Sequence, residues 1–97
     1  MRLLDVELKA ILEEVTRLDP AAQVYLFGSR TRDDLKGGDI DLLVISEKLG
    51  FGDKLSLQVE LKNRLGDQKI DIKIASSELA KTDPFILSIL HSAKKLG

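Results

Sequence analysis

The chain has 97 residues, which is enough for one compact domain and too few for two, because a chain of this length buries only enough surface for a single core. Apolar residues make up 43% and charged residues 32%, a balance typical of globular proteins, and no apolar run approaches the roughly 20 residues that cross a bilayer. The 15 basic and 16 acidic residues nearly cancel, which argues against a long polyanion as partner, and the lack of cysteine with a single histidine leaves oxygen as the ligand type for any metal.

Helix and strand signals alternate in the first half of the chain. Apolar residues at helical spacing predict a first helix over 4–18, which an Asp-Pro pair ends. The β-branched and aromatic run at 23–27 predicts a short buried strand that stops at Gly28. A short helical turn over 29–35 and a glycine-rich turn then lead to a second predicted strand over 39–45.

The second half opens with an ambiguous segment. Four apolar residues between positions 55 and 61 alternate with polar ones as in a strand, but Asp53 as a cap and Gly66 as a terminator favour a helix. Clean alternation over 69–74 predicts a third strand. An Asp-Pro pair at 83–84 predicts the start of a last helix, with aspartate as cap and proline in the first turn.

A pair of carboxylates lies at the start of the second predicted strand. Asp39 and Asp41 are two residues apart, so in a strand both side chains project to the same face. At about 4 Å, two like charges repel by roughly 4 kcal/mol at an effective dielectric near 20, so a site that keeps both ionised needs a cation. Magnesium is the natural choice because it prefers hard oxygen ligands. Asp71, on a strand that can lie beside this one, would complete a three-carboxylate site able to bridge two ions.

The turn after the first strand has the character of an anion site. Gly28 lets the backbone approach a phosphate closely, and a helical turn starting at Ser29 presents free amides and a positive dipole end. Arg30 and Arg32 add positive charge where a leaving pyrophosphate would develop its negative charge. We therefore expect these four residues to bind a triphosphate.

Taken together, Gly28-Ser29, Arg32 and the Asp39-x-Asp41 pair resemble the signature of the polymerase-beta-like nucleotidyltransferase superfamily. The small size and the later Asp71 make the chain most similar to its minimal nucleotidyltransferase, or MntA-like, group. The resemblance implies one α+β domain over residues 1–97, with a small mixed β-sheet packed with helices. It also implies a nucleoside triphosphate held by the glycine-serine turn, and two magnesium ions held by the three aspartates.

That resemblance further implies a function. Many members of the group are antitoxins encoded beside a helical HEPN-type toxin, and some transfer AMP from ATP to a tyrosine of that toxin. The expected activity is thus magnesium-dependent transfer of AMP from ATP to a partner protein. Two alternatives remain open: transfer to a small-molecule hydroxyl, and a catalytically silent module that neutralises its partner by contact.

Simpler interpretations exist for several of these residues. The aspartates could lie on a solvated strand face, and Arg30 and Arg32 could be ordinary surface charges. We expect His91 at a surface or helix end, and Phe51, between two glycines, as a loop anchor. Because Asp5 interrupts the amino-terminal segment before a signal peptide core could form, we expect a cytoplasmic protein with no membrane partner and no bound nucleic acid.

Overall fold

The computed structural model describes residues 3–28, 40–66 and 68–97. The helices in these ranges are α1 (Asp5–Leu18), α2 (Phe51–Leu65), α3 (Ser77–Thr82) and α4 (Pro84–Ser92). The strands are β1 (Gln23–Phe27), β2 (Ile40–Ile45), β3 (Ile70–Ala75) and β4 (Lys94–Leu96). In the part of the chain so described, none of the helices has the length and apolar character needed to cross a membrane.

The four strands form one mixed sheet in the order β3-β2-β1-β4. β2 and β3 run parallel, whereas β1 runs antiparallel to both of its neighbours, β2 and β4. The expected α+β architecture, a small mixed sheet packed with helices, is therefore confirmed.

Side-chain alternation gives the sheet two covered faces and the molecule three layers. One face carries Val24, Leu26, Leu42, Val44 and Ile72 into a core shared with α1 and α2. The opposite face carries Leu43, Ile45 and Ala75 into a second cluster with Ile86 and Ile89 of α4. Because alternate residues of one strand point to opposite faces, every odd-numbered residue of β2 lies on the α4 side.

The predicted first helix begins one residue later than expected. Leu4 is the residue before the first turn, and its amide donates to the Glu7 carboxylate at 2.9 Å. The Leu4 side chain is 67% exposed, so this residue, which opens the predicted helical pattern, does not face the core. The buried stripe of α1 starts within the helix and runs through Ala10, Ile11 and Val15.

The ambiguous segment is helical, as predicted, although its start differs. Gly50 precedes the first turn of α2, and its amide donates to Asp53 at 2.9 Å, so Asp53 caps the helix from inside the first turn. Gly66 ends the helix with a φ of 84°. Phe51 is the first residue of α2 and is 73% exposed, so the interpretation of Phe51 as a loop anchor was wrong.

An ion-pair cluster ties the two helices of this layer together. Arg64 of α2 contacts Glu13 at 2.8 Å and Glu14 at 3.0 Å, both on α1. Glu14 also accepts from Arg17, and this hydrogen bond is the main cause that holds the pKa of Glu14 below its usual value. Such exposed pairs contribute little stability, so the buried apolar side chains decide how α1 and α2 pack.

The carboxyl-terminal third contains the predicted helix and two elements that the sequence patterns did not reveal. Asp83 caps α4, accepting from the amides of Phe85 at 2.8 Å and Ile86 at 3.3 Å. The additional helix α3 starts at a cap from Ser76, whose hydroxyl accepts from the Leu79 amide at 3.1 Å. The additional strand β4 pairs with β1 after α4 ends.

Candidate active site

Asp41 and Asp71 lie side by side on the two parallel strands. They are register partners in the β2–β3 pair, and both belong to the α4 side of the sheet. Register partners on neighbouring parallel strands point to the same face and are separated by about 4.8 Å, the distance between strands. Two carboxylates from separate strands therefore meet at one place, with Asp41 half-buried and Asp71 exposed.

Apolar alternation explains why these aspartates point to the α4 side. Ile40 and Leu42 flank Asp41 and are fully buried in the core beneath α1 and α2. Ile70 and Ile72 flank Asp71 and pack into the same core. A shift of either strand by one residue would place a carboxylate in that core, so burial fixes the register.

Gly28 brings the end of β1 against the carboxylate of Asp41. Phe27 is the register partner of Asp41, and Gly28 follows with a φ of 78°, a conformation that favours glycine. A Cβ atom at this position would overlap Oδ2 of Asp41. Glycine is therefore required here both by the backbone conformation and by the space that the Asp41 carboxylate occupies.

Four of the predicted site residues, Ser29, Arg30, Arg32 and Asp39, lie outside the described residues, and their roles remain predictions. Within the described ranges, His and acidic side chains do not form a cluster of three that could hold a metal. The pair formed by Asp41 and Asp71 supplies carboxylate oxygens from two neighbouring strands, which is the type of ligand that magnesium prefers. His91 is exposed in the last turn of α4, as expected.

Two further residues on the α4 side of the sheet were not singled out from the sequence. Lys73 lies two residues after Asp71 on β3, and its Nζ is 5.2 Å from the centroid of the Phe85 ring. Phe85 is 56% exposed in the first turn of α4. Two features of the sequence could have indicated them. Phe85 is apolar but does not fall at the helical spacing of the buried residues of α4. Lys73 alternates in phase with Asp71 along β3.

A separate cavity of about 260 Å³ lies at the other end of β2. It is lined by residues that include Ile45, Ser46, Glu47 and Ser77. Asp41 is at the start of β2 and these residues are at its end, so the cavity is distinct from the paired aspartates. The paired aspartates therefore lie at the end of the sheet near Gly28, and the cavity lies at the opposite end.

Comparison with known proteins identifies the class to which this protein belongs. Residues 8–96 match the family model described as a nucleotidyltransferase domain. The chain therefore belongs to the nucleotidyltransferase domain family. Among curated proteins, none matches the sequence.

Comparison with solved structures shows that the fold of this chain is similar to that of MntA proteins. A mutant MntA toxin–antitoxin complex matches with a TM-score of 0.69 and 19% identity, covering 93% of this chain and 71% of that one. The MntA–HepT complex matches with a TM-score of 0.66 and 19% identity, covering 97% and 72%. A complex of tri-AMPylated Shewanella oneidensis HEPN toxin with MNT antitoxin gives 0.66 and 21%, covering 94% and 69%. The predicted resemblance to minimal nucleotidyltransferases is confirmed.

Proposed function

We propose that this protein is a magnesium-dependent nucleotidyltransferase that transfers AMP from ATP to a hydroxyl group of a HEPN-type partner protein and so acts as its antitoxin. The observation that carries the proposal is the pairing of Asp41 with Asp71 beside Gly28. Membership of the nucleotidyltransferase domain family supports the reaction type. The complexes of the structural neighbours support the choice of partner.

The proposed reaction is an in-line displacement at the α-phosphorus of ATP. The acceptor oxygen forms a new bond to this phosphorus, and the bond from the phosphorus to the oxygen that bridges to the β-phosphate breaks. Pyrophosphate leaves with that bonding pair. The proton of the acceptor hydroxyl passes to the carboxylate of Asp71, which is exposed and within reach of an incoming group, and then to water.

The paired carboxylates define where the metal would be held. Asp41 and Asp71, with Asp39, would hold the ions, because two ionised carboxylates about 4 to 5 Å apart repel by several kcal/mol without a cation. Bound magnesium supplies charge neutralisation and alignment of the attacking and leaving oxygens. Gly28, which has no side chain and so lets the Asp41 carboxylate lie against the end of β1, would bring the backbone close to the triphosphate beside these carboxylates.

The exposure of Asp71 favours an acceptor carried on another molecule. Asp71 lies on β3, which is an edge strand of the sheet, and its side chain is exposed. A hydroxyl on a docking protein can reach such a position without rearrangement of the fold. This exposure is compatible with modification of a partner protein, and the structural neighbours support a protein over a small molecule as the acceptor.

The test uses ATP labelled at the α-phosphate, magnesium, and a HEPN-type protein from the same genome as the candidate partner. The wild type should label the partner, and Asp41→Asn should abolish labelling because it removes a metal ligand. Its thermal stability should be unchanged or higher, since the change relieves repulsion between carboxylates. Asp5→Asn is a matched control, because Asp5 is exposed in the first turn of α1.

Each other outcome contradicts part of the proposal. Undiminished labelling by Asp41→Asn would contradict the metal-binding role of Asp41. Label on a small hydroxyl compound but not on the protein would overturn the partner assignment. Tight binding of the HEPN-type protein without any label would replace the transferase with a module that acts by contact.

A further inference from the structure

The edge strand β3 has no strand neighbour on its outer side in the part of the chain that the structure describes. On its inner side, the carbonyl of Lys69, directly before the strand, accepts from the Ile40 amide of β2 at 3.0 Å. Because the backbone groups of successive strand residues point to alternate sides, the odd-numbered residues of β3 bond to β2. The amides and carbonyls of Ile70, Ile72 and Ile74 therefore point outwards, where a further strand can pair with them.

Charges of opposite sign alternate along one face of β3. Asp71 and Lys73 are exposed on the α4 side, and Lys69 precedes them in the same phase. An antiparallel copy of β3 centred on Asp71 would place Asp71 opposite Asp71 and Lys69 opposite Lys73, so like charges would meet. A copy centred on Ile72 instead places Asp71 opposite Lys73 twice, once on each side of the two-fold axis. The charges thus favour one register for the pairing of β3 with itself.

The register centred on Ile72 also matches the outward backbone groups and the apolar side chains. Ile72 lies opposite Ile72 and Ile70 opposite Ile74, and these are the residues whose amides and carbonyls point outwards. Ile70 and Ile74 are only half-buried in the single chain, on the face that α1 and α2 cover. Ile74 and Phe51, which is 73% exposed, line one hollow of about 290 Å³. Apolar surface beside β3 is therefore open to solvent in the single chain, and pairing would bring Ile70 and Ile74 together.

We propose that β3 pairs with β3 of a second copy of this chain, antiparallel and centred on Ile72, so that one sheet continues through a two-fold symmetric dimer. A second copy is the occupant that the charges favour, because β3 presents an acid and a base at the positions that its own reversed copy requires. In the dimer Asp71 faces Lys73 of the second copy, whereas in the monomer Asp71 is open to an acceptor. The interface and the proposed metal site therefore compete for one carboxylate.

The test measures the dissociation constant of the dimer by sedimentation equilibrium at low salt. The wild type should show an equilibrium between monomer and dimer. Lys73→Glu and Asp71→Lys should each raise the dissociation constant by about tenfold or more, because both pairs of unlike charges become pairs of like charges. The double variant that combines Asp71→Lys with Lys73→Glu restores two unlike pairs, so its dissociation constant should return to within about threefold of the wild type.

Lys95→Glu is the matched control for the change in net charge. Lys95 is exposed on β4, which is the edge strand at the other side of the sheet. The same change of charge there should leave the dissociation constant unchanged. If Lys95→Glu weakened the dimer as much as Lys73→Glu does, net charge alone would explain the effect, and the assignment of the interface to β3 would be overturned.

Introduced cysteines report the register, because the wild type has none. Asp71→Cys and Lys73→Cys are purified separately and then oxidised, alone and as a mixture. The mixture should form disulfide-linked dimers readily and each variant alone should not, because position 71 lies opposite position 73 of the second copy and too far from its own counterpart to be bridged. Ready linkage of Asp71→Cys alone would contradict the register centred on Ile72.

The outcomes separate this inference from the proposed function. A wild type that stays monomeric at millimolar concentration overturns the inference and leaves the proposed function untouched. A double variant that melts like the wild type but remains monomeric overturns it as well. A dimer that Lys73→Glu dissociates and the double variant restores supports the inference, even if the chain labels no partner protein.

Discussion

At the residue scale, the position of a single glycine determines how closely β1 approaches the aspartates. Gly28 has a positive φ, and the space where its side chain would lie is already occupied by the carboxylate of Asp41. The glycine-serine motif predicts a phosphate-binding turn from the sequence, and this role stays a prediction. The contact between Gly28 and Asp41 could not be predicted, because it depends on the antiparallel register that pairs Phe27 with Asp41.

We predict that Gly28→Ala impairs ATP binding as well as stability. An alanine at a φ of 78° is strained by about 1 kcal/mol or more, and its Cβ would also displace the Asp41 carboxylate. Gly66→Ala is the matched control, because Gly66 has a φ of 84° and a Cβ there meets no atom within 4 Å. Urea unfolding and ATP titration of both variants provide the measurement. Equal destabilisation of the two variants with unchanged ATP affinity would refute the role given to Gly28.

Asp41 and Asp71, the two aspartates of the predicted site that the structure describes, show what residue patterns can and cannot predict. Alternation predicts that Asp71 points away from the isoleucines of its strand, and the structure places Asp71 on that side. That β3 lies directly beside β2, in the register that pairs Asp71 with Asp41, follows from tertiary packing. A parallel pair needs a long crossover, here made by α2, and the length of such a crossover does not fix the register.

At the element scale, a buried hydrogen bond joins the end of α1 to the end of β2. Asp19 accepts from the Ser46 hydroxyl at 2.5 Å and from the Ala21 amide at 3.0 Å, and both Asp19 and Ser46 are buried. The bond from Ser46 is the main cause that lowers the pKa of Asp19 below its usual value. The charged form of Asp19 is therefore favoured by folding.

This bond predicts a specific pH dependence of stability. Because the pKa of Asp19 is lower in the folded than in the unfolded chain, its contribution is fully present above the unfolded value of about 4 and is lost as the pH falls through the folded pKa. Asp19→Asn should lower the urea midpoint at pH 7, and its difference from the wild type should shrink towards pH 3. A difference that is constant from pH 7 to pH 3 would contradict this account.

Short elements and exact helix starts were the hardest features to predict. The helix α3 has six residues and the strand β4 has three, so neither contains enough residues for a periodic pattern. β4 forms because α4 returns the chain to the open edge of β1, where Leu96 packs into the core beside Val24. Only the assembled sheet provides that edge, so the sequence of Lys94–Leu96 alone does not indicate a strand.

At the scale of the whole molecule, three layers hold the proposed nucleotide site together. The aspartates lie on strands that are covered by α1 and α2 on one face and partly by α4 on the other. A ligand that binds only when β1, β2 and β3 are assembled stabilises the entire fold, because it binds the native and not the unfolded chain. Ligand binding should therefore be detectable as a rise in the free energy of unfolding of the whole protein.

We predict that ATP with magnesium raises the melting temperature of the protein. At ligand concentrations about a hundred times the Kd, the stabilisation should be about 2.7 kcal/mol, or a shift of several degrees. Removal of magnesium with a chelator should abolish the shift if the ions mediate triphosphate binding. Asp71→Asn should reduce the shift, whereas Glu78→Gln, an exposed acid on α3, should not. A shift that persists without divalent cations would contradict the metal requirement.

The sequence by itself determined the class of fold and the family, because helical spacing, strand alternation and the spacing of Gly28, Asp39 and Asp41 depend only on neighbouring residues. It also determined which face of each strand would carry an aspartate. The tertiary structure alone decided that Asp71 pairs with Asp41, that Gly28 touches the Asp41 carboxylate, and that Phe85 is left exposed beside Lys73. Each of these contacts joins residues far apart in the chain, and burial of the two apolar faces of the sheet is the force that brings them together.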